Sequence, residues 1–176
     1  MLTPTVDGLS ADGIPFCGVI YAGIMIRPDG SLSVLEYNVR LGDPEARSYS
    51  PPSAETSAKC ARLRQRRARS VEWPGAVRTA LGVVMASGGY PEAFEKGYAI
   101  TGTDEDVPNT FVYHAGTKLN DAGQLVTNGG RVLTVVGLAD DLPTARERAY
   151  ARVDGIHFEK EHHRNDIGDK SLKRGK

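Results

Sequence analysis

The chain reads as an α+β protein. Two apolar runs flank the turn Pro28-Asp29-Gly30, which predicts an antiparallel hairpin. Farther on, apolar segments at 80–87, 111–118, 124–128 and 131–138 alternate with Gly-, Asn- and Asp-rich turns and predict short strands. A single helical pattern, Pro143 to Ile156, follows them. Strands gathered first, with a helix after them, give segregated α+β rather than a βαβ repeat.

In order along the chain, residues 14–26 predict one strand or a broken pair, and Ser31 to Val39 predicts the second arm of the hairpin. Residues 80–87 predict a buried strand that ends in the turn Gly88-Gly89-Tyr90-Pro91. The next three strands are separated by Asp121-Ala122-Gly123 and by Asn128-Gly129-Gly130. The last is read as a tight turn, because both glycines tolerate positive φ. The helix has Asp140 or Asp141 as its cap, Pro143 in its first turn, and a stripe of Ala145, Ala149 and Val153. The polar tail beyond Ile167 is expected to fray.

Composition excludes several classes of function. A chain of 176 residues makes one domain or two small ones. Its formal net charge of +0 gives no field for nucleic acid or an anionic membrane. Cys17 and Cys60 form no CxxC pair and no disulfide scaffold. No apolar run approaches the ~20 residues that span a bilayer, and the N-terminus lacks the layout of a signal peptide. A reducing cytoplasm is the expected compartment.

The stretch richest in chemistry is Val34-Leu35-Glu36-Tyr37-Asn38-Val39-Arg40-Leu41-Gly42-Asp43-Pro44-Glu45. Strand alternation puts Glu36, Asn38 and Arg40 on one face and Leu35, Tyr37 and Val39 on the other. A carboxylate beside an amide oxygen suits Mg2+, which takes one or two protein oxygens plus substrate phosphates. Arg40 suits a phosphate or carboxylate. Equally compatible is a half-exposed edge strand with a solvated polar face.

The continuation narrows that choice. Glu36-Tyr37-Asn38-x-Arg40-x-Gly42-Asp43-Pro44-Glu45 resembles the metal-binding strand and loop of the phosphoribosylamine–glycine ligase family, within the ATP-grasp superfamily. Pro4-Thr5-Val6-Asp7-Gly8-Leu9 and the run Gly18 to Ile26 look like the strands that precede that site. Ala80 to Pro91 resembles the start of the family's C-terminal domain. His114-Ala115-Gly116-Thr117-Lys118, then Thr127-Asn128-Gly129-Gly130-Arg131-Val132-Leu133, then Arg164-Asn165-Asp166-Ile167-Gly168 follow in the family's order. The resemblance covers roughly residues 3–46 and 78–170. It implies the end of an ATP-grasp domain over 1–46, a small α+β C-terminal domain over 78–170 and a tail at 171–176.

The resemblance implies a ligase of purine biosynthesis in which ATP phosphorylates the carboxylate of glycine. The amine of 5-phosphoribosylamine then attacks the glycyl phosphate. It places Mg2+ or Mn2+ on Glu36 and Asn38, and puts Arg40, Asp43 and Glu45 beside the reacting groups. His114, Thr117, Lys118, Gly129, Gly130 and Arg131 become walls of the substrate or ATP site, Gly116 letting a ligand approach the backbone. From the residues alone, these are also ordinary strand ends and turns. His157, His162 and His163 have no metal-like spacing and read as a solvated tail. The family's Gly-rich loop and phosphate-binding lysines have no counterpart here, so the isolated chain is expected to be inactive. The alternative is a non-enzymatic remnant, or a subunit complementing a missing N-terminal portion.

Residues 47–77 depart from the family. Ser48, Ser50, Pro51, Pro52 and Ser53 lead into a basic run of Lys59, Arg62, Arg64, Arg66, Arg67 and Arg69. The family has an amphipathic helical region of similar length. Codons for Ala46-Arg47-Ser48-Tyr49-Ser50-Pro51 read one base earlier give Ala-Gln-Val-Ile-Leu-Pro, so a local frame shift is the expectation. Ordinary divergence of a linker is the alternative. Without interleaved aromatics in a neutral chain, the run is a poor nucleic-acid patch.

Overall fold

The computed structural model describes residues 2–16, 18–43 and 78–174. Glu45, both cysteines and the Ser/Pro/Arg-rich segment with its frame-shift reading lie outside them. The described residues fall into two compact units, 2–43 and 78–174.

The first unit opens with a helix, α1 (Leu2–Ala11), where the resemblance had implied a strand over Pro4 to Leu9. Pro4 sits in the first turn, where its missing N–H leaves no bond unmade. The helix closes in a Schellman motif: Ile14 N–H donates to Leu9 O at 2.9 Å and Gly13 N–H to Ser10 O at 3.2 Å. Gly13 takes the left-handed φ of 71° that this closure needs. The end signals therefore outweigh the strand preference of Thr5 and Val6. The predicted strand over 14–26 is shorter than expected, β1 (Tyr21–Ile26), and β2 (Leu32–Asn38) pairs with it antiparallel. The connection between them, residues 27–31, places Gly30 at φ 80°, and the Asp29 carboxylate accepts the Ser31 N–H at 2.9 Å. The Ser31 side chain first, and this backbone bond second, hold the Asp29 carboxyl below its ordinary range.

The second unit is a four-stranded antiparallel sheet in the order β4-β7-β3-β8. Its strands are β3 (Thr79–Ser87), β4 (Thr110–His114), β7 (Arg131–Ala139) and the short β8 (Glu161–His162). Two further strands, β5 (Thr117–Leu119) and β6 (Leu125–Thr127), form a hairpin of their own. The helix α2 (Leu142–Val153) packs on β7 and β3, and α3 (Asp169–Arg174) ends the described chain. Val83, Met85, Leu133 and Val135 from the sheet meet Ala145, Ala149 and Val153 from α2 in one core. Gly137 is what lets α2 lie so close: a Cβ there would fall 2.2 Å from Ala145 O. Asp141, not Asp140, caps the helix, its carboxylate accepting the Thr144 N–H at 2.8 Å.

Three expectations are corrected here. The run 111–118 breaks at Ala115-Gly116 into β4 and β5, which belong to different sheets. Asn128-Gly129-Gly130 is not a hairpin turn, because β6 pairs with β5 while β7 pairs with β4 and β3. Neither glycine has a positive φ. Their role is close approach, since a Cβ on Gly130 would lie 2.1 Å from the Tyr90 ring and one on Gly116 would lie 2.7 Å from the Gly129 Cα. Finally, the segment around the late histidines is folded. Glu161 and His162 extend the sheet beside β3, and Arg146 and Tyr150 of α2 bind the main chain of 164–167.

Candidate functional site

Glu36 and Asn38 lie on β2 opposite Gly23 and Tyr21 of β1. Directly paired residues share a face, so Tyr21, Gly23 and Met25 stand with Ser33, Glu36 and Asn38. On the other face stand Ala22, Ile24 and Ile26 with Leu32, Val34 and Tyr37. Leu35 is the extra residue of a bulge in β2. Such bulges re-aim the side chains beside them.

Asn38 Nδ2 donates to Glu36 Oε1 at 3.1 Å, which brings the two side chains into contact. Gly23 makes room for this arrangement: a Cβ there would lie 3.3 Å from Glu36 Cγ. Thr5 Oγ1 donates to Tyr37 Oη at 2.9 Å, placing α1 on the side of the hairpin away from Glu36. The second Glu36 oxygen and the Asn38 amide oxygen are hard donors. Among the described residues, no cluster of three or more His, Cys, Asp or Glu side chains is built to hold a metal. A two-oxygen set fits Mg2+ or Mn2+ whose remaining ligands come from phosphate and water, not a cation needing a full protein cage.

The other expected members of this site are arranged differently. Arg40 lies in the bend after β2, and its Nη1 donates to Leu41 O at 3.3 Å. Asp43 is exposed in the turn that ends the described part of the unit.

In the second unit, His114 ends β4 and its Nδ1 lies 3.2 Å from Thr117 Oγ1. Alternation along β5 puts Thr117 and Leu119 on one face and Lys118 on the other. Lys118 is thus separated from the two residues it was grouped with. His114 and Leu119 line an open polar cleft of ≈ 440 Å³ with Thr101, Thr103, Asp104 and Gln124. Those four residues belong to no motif in the sequence. Among the described residues no Lys or Arg lines the cleft, so they build no cradle for phosphate there.

The crossing at 128–131 is engaged by its own fold. Ser87 takes the Gly129 carbonyl with its hydroxyl at 2.9 Å and the Gly130 carbonyl with its N–H at 2.8 Å. Gly116 N–H donates to Arg131 O at 2.9 Å. Gly116 therefore serves the close approach of the chain at 129–131. Arg152, which carried no expectation, is buried at the end of α2. Its Nη2 donates to the carbonyls of Gly102, Thr103 and Glu105, holding the loop that forms one wall of the cleft.

The class is that of ATP-grasp proteins: the hairpin unit falls in the end of an ATP-grasp domain and the α+β unit in the C domain that follows it. Residues 1–46 match the family model for the phosphoribosylglycinamide synthetase ATP-grasp (A) domain, and residues 80–170 match that for its C domain. The chain belongs to the phosphoribosylamine–glycine ligase (phosphoribosylglycinamide synthetase) family.

The phosphoribosylamine–glycine ligase of Ralstonia nicotianae is 42% identical, over 99% of this chain and 41% of its own length. A bifunctional purine biosynthetic protein of Pichia angusta is 41% identical, over 98% of this chain and 22% of its own. The crystal structure of the Thermotoga maritima phosphoribosylamine–glycine ligase superposes with a TM-score of 0.80 at 37% identity. It covers 93% of this chain and 40% of that protein. The chain thus spans about two-fifths of the single-function ligases it matches.

Proposed function

We propose that this chain supplies the metal-binding strand and the C domain of a phosphoribosylamine–glycine ligase of purine biosynthesis, working in the cytoplasm. The observation that carries the reading is the paired Glu36 carboxylate and Asn38 amide on the polar face of β2, within the segment that matches the ATP-grasp domain. Glu36 and Asn38 would hold Mg2+ or Mn2+ on the phosphates of ATP. The ion supplies charge neutralisation during phosphoryl transfer, a reaction dominated by positioning and electrostatics.

The chain's own side chains then act around it. Arg40 turns its guanidinium to the glycine carboxylate as that group takes the γ-phosphoryl. Asp43 and Glu45 border the amine of 5-phosphoribosylamine that attacks the glycyl phosphate and releases inorganic phosphate. His114 and Thr117 wall the substrate side, while Lys118, on the other face of β5, and Arg131 would meet phosphate outside the His114 cleft. Gly129 and Gly130 serve by placing Arg131. The remainder of the ligase supplies the other nucleotide contacts.

The test is a chimera in which this chain replaces the similar stretch of the Ralstonia nicotianae ligase. Glycine-dependent ADP formation is measured with and without Mg2+. Activity is expected in the chimera and none in the isolated chain. Glu36→Ala is expected to reduce turnover to the level without metal while leaving the melting temperature unchanged. Near-normal turnover in that variant would remove Glu36 from the metal site.

A further inference from the structure

The cleft of ≈ 440 Å³ at His114 is walled on one side by residues 100–104 and on the other by the β5–β6 hairpin. Three anchors hold the first wall against the end of α2. Arg152, 3% exposed, donates from Nη2 to Gly102 O at 2.7 Å and to Thr103 O and Glu105 O at 3.2 Å. Thr101 and His157 exchange two main-chain bonds, at 3.0 and 3.1 Å. Gly102, at φ 80°, lies so close to the turn after α2 that a Cβ would fall 1.9 Å from Gly155 O. Yet Nε and Nη1 of Arg152 find no partner among the described residues. A cation buried with part of its donors unmet costs stability, and apolar replacements of buried charged groups are commonly neutral or stabilising. Stability alone therefore does not account for Arg152. What its rigid fork supplies is direction: one nitrogen gathers three carbonyls and sets the path of the wall.

The residues lining this cleft choose a class of ligand. Thr101, Thr103 and Gln124 bring neutral donors and acceptors, Asp104 brings a carboxylate and His114 an imidazole. Among the described residues no Lys or Arg lines it, and no Phe, Tyr or Trp. The first absence disfavours a phosphate or carboxylate there, the second a stacked base. Vicinal hydroxyls of a sugar fit. A carboxylate accepts from them, as acidic residues do from ribose in dinucleotide sites, and the neutral groups complete the bonds. ATP also carries a ribose, but its adenine would need the stacking surface that the cleft lacks. Of the reactants in the proposed reaction, the sugar of 5-phosphoribosylamine remains, with its phosphate outside the cleft. We infer that Arg152 is a positioning residue for that substrate: it fixes the loop 101–105 so that the cleft's polar groups meet the ribose hydroxyls. The inference rests on the proposed function for the identity of the substrate.

The experiment uses the chimera of this chain with the Ralstonia nicotianae ligase. It measures kcat, KM for 5-phosphoribosylamine, ATP and glycine, and the melting temperature. Arg152→Met keeps the apolar stem and removes the donors, whereas Arg152→Lys keeps the charge but not the fork. Both are expected to raise KM for 5-phosphoribosylamine by about tenfold, the order of one lost hydrogen bond. The kcat and the other two KM values are expected to stay unchanged. Asp104→Ala, an exposed change in the same wall that leaves the core untouched, is expected to do the same. Arg148→Met is the control, because it removes a like bond outside the cleft, from Nη1 to Leu138 O at 2.6 Å. It is expected to lower the melting temperature and leave all three KM values in place.

A KM rise confined to 5-phosphoribosylamine carries the inference. Parallel changes in all three KM values, or a fall in kcat and melting temperature alone, would reduce Arg152 to a structural bond and overturn it. A rise confined to ATP or glycine would overturn the assignment of the cleft to this sugar. An active chimera whose KM values ignore Arg152 and Asp104 would sink the inference and leave the proposed function standing. An inactive unsubstituted chimera would sink the proposed function and the inference with it.

Discussion

Asp141 shows how much one side chain contributes at a chain reversal. The Thr144 backbone N–H that caps α2 holds its carboxyl below the ordinary carboxylate value. A lowered native pKa means that the cap's contribution is complete above the unfolded pKa, near ~4, and disappears as pH falls through the native value. Melting curves of wild type and Asp141→Asn are therefore expected to differ in pH dependence. The wild type should lose stability below about pH 4, while the amide cap should keep its contribution. Parallel curves would contradict this.

The sequence narrowed the cap to Asp140 or Asp141, because an Asp just before a proline is a local signal, and the bond to Thr144 decides for Asp141. Arg152 was legible only in principle. It lies seven residues after Ala145 and three after Ala149, on the same helical stripe. A cation on an apolar stripe ordinarily reads as solvated, and its partners, the carbonyls of 102, 103 and 105, come from a distant loop. Glu36 and Asn38 were legible as neighbours because a two-residue spacing on a strand is enough to bring them together.

Between elements, glycines set the distances. Gly137 on β7 sits under α2, where a methyl would fall 2.2 Å from Ala145 O and 2.6 Å from Ala149 N. These are backbone atoms on a helix packed into a fully buried core, so neither neighbour can rotate away. Gly137→Ala is expected to destabilise the protein by about 1–3 kcal/mol through overpacking, measured by urea denaturation. An unchanged midpoint would show that α2 shifts freely on the sheet.

The same physics explains which elements the sequence misled. Asn128-Gly129-Gly130 carries the composition of a tight turn, yet its glycines answer to Tyr90 and Gly116, partners 40 and 13 residues away in sequence. Composition reports local conformational freedom, whereas close approach depends on tertiary contacts that no local window contains. In α1, by contrast, the evidence was local: Asp12-Gly13 is a helix stop, and it outweighs the β-branched residues before it.

The two units of the molecule differ in how their backbone bonds are protected. β7 is paired on both sides, with β3 and β4, and Val132, Leu133 and Val135 along it are fully buried. β1 and β2 share a single ladder, and Ile24, Met25, Ile26 and Leu35 around it are exposed. Local opening free energy follows buried apolar contact and the exposure of hydrogen bonds. In the isolated chain, amides of β3 and β7 should therefore exchange only on global unfolding of their unit. Those of β1 and β2 should exchange orders of magnitude faster, through local opening. Hydrogen exchange read by mass spectrometry separates the two sets because they lie far apart in sequence. Equal protection would mean that the hairpin is already buttressed within this chain. Unequal protection would make the C domain the stable unit of the chain and the hairpin a unit that opens locally before it.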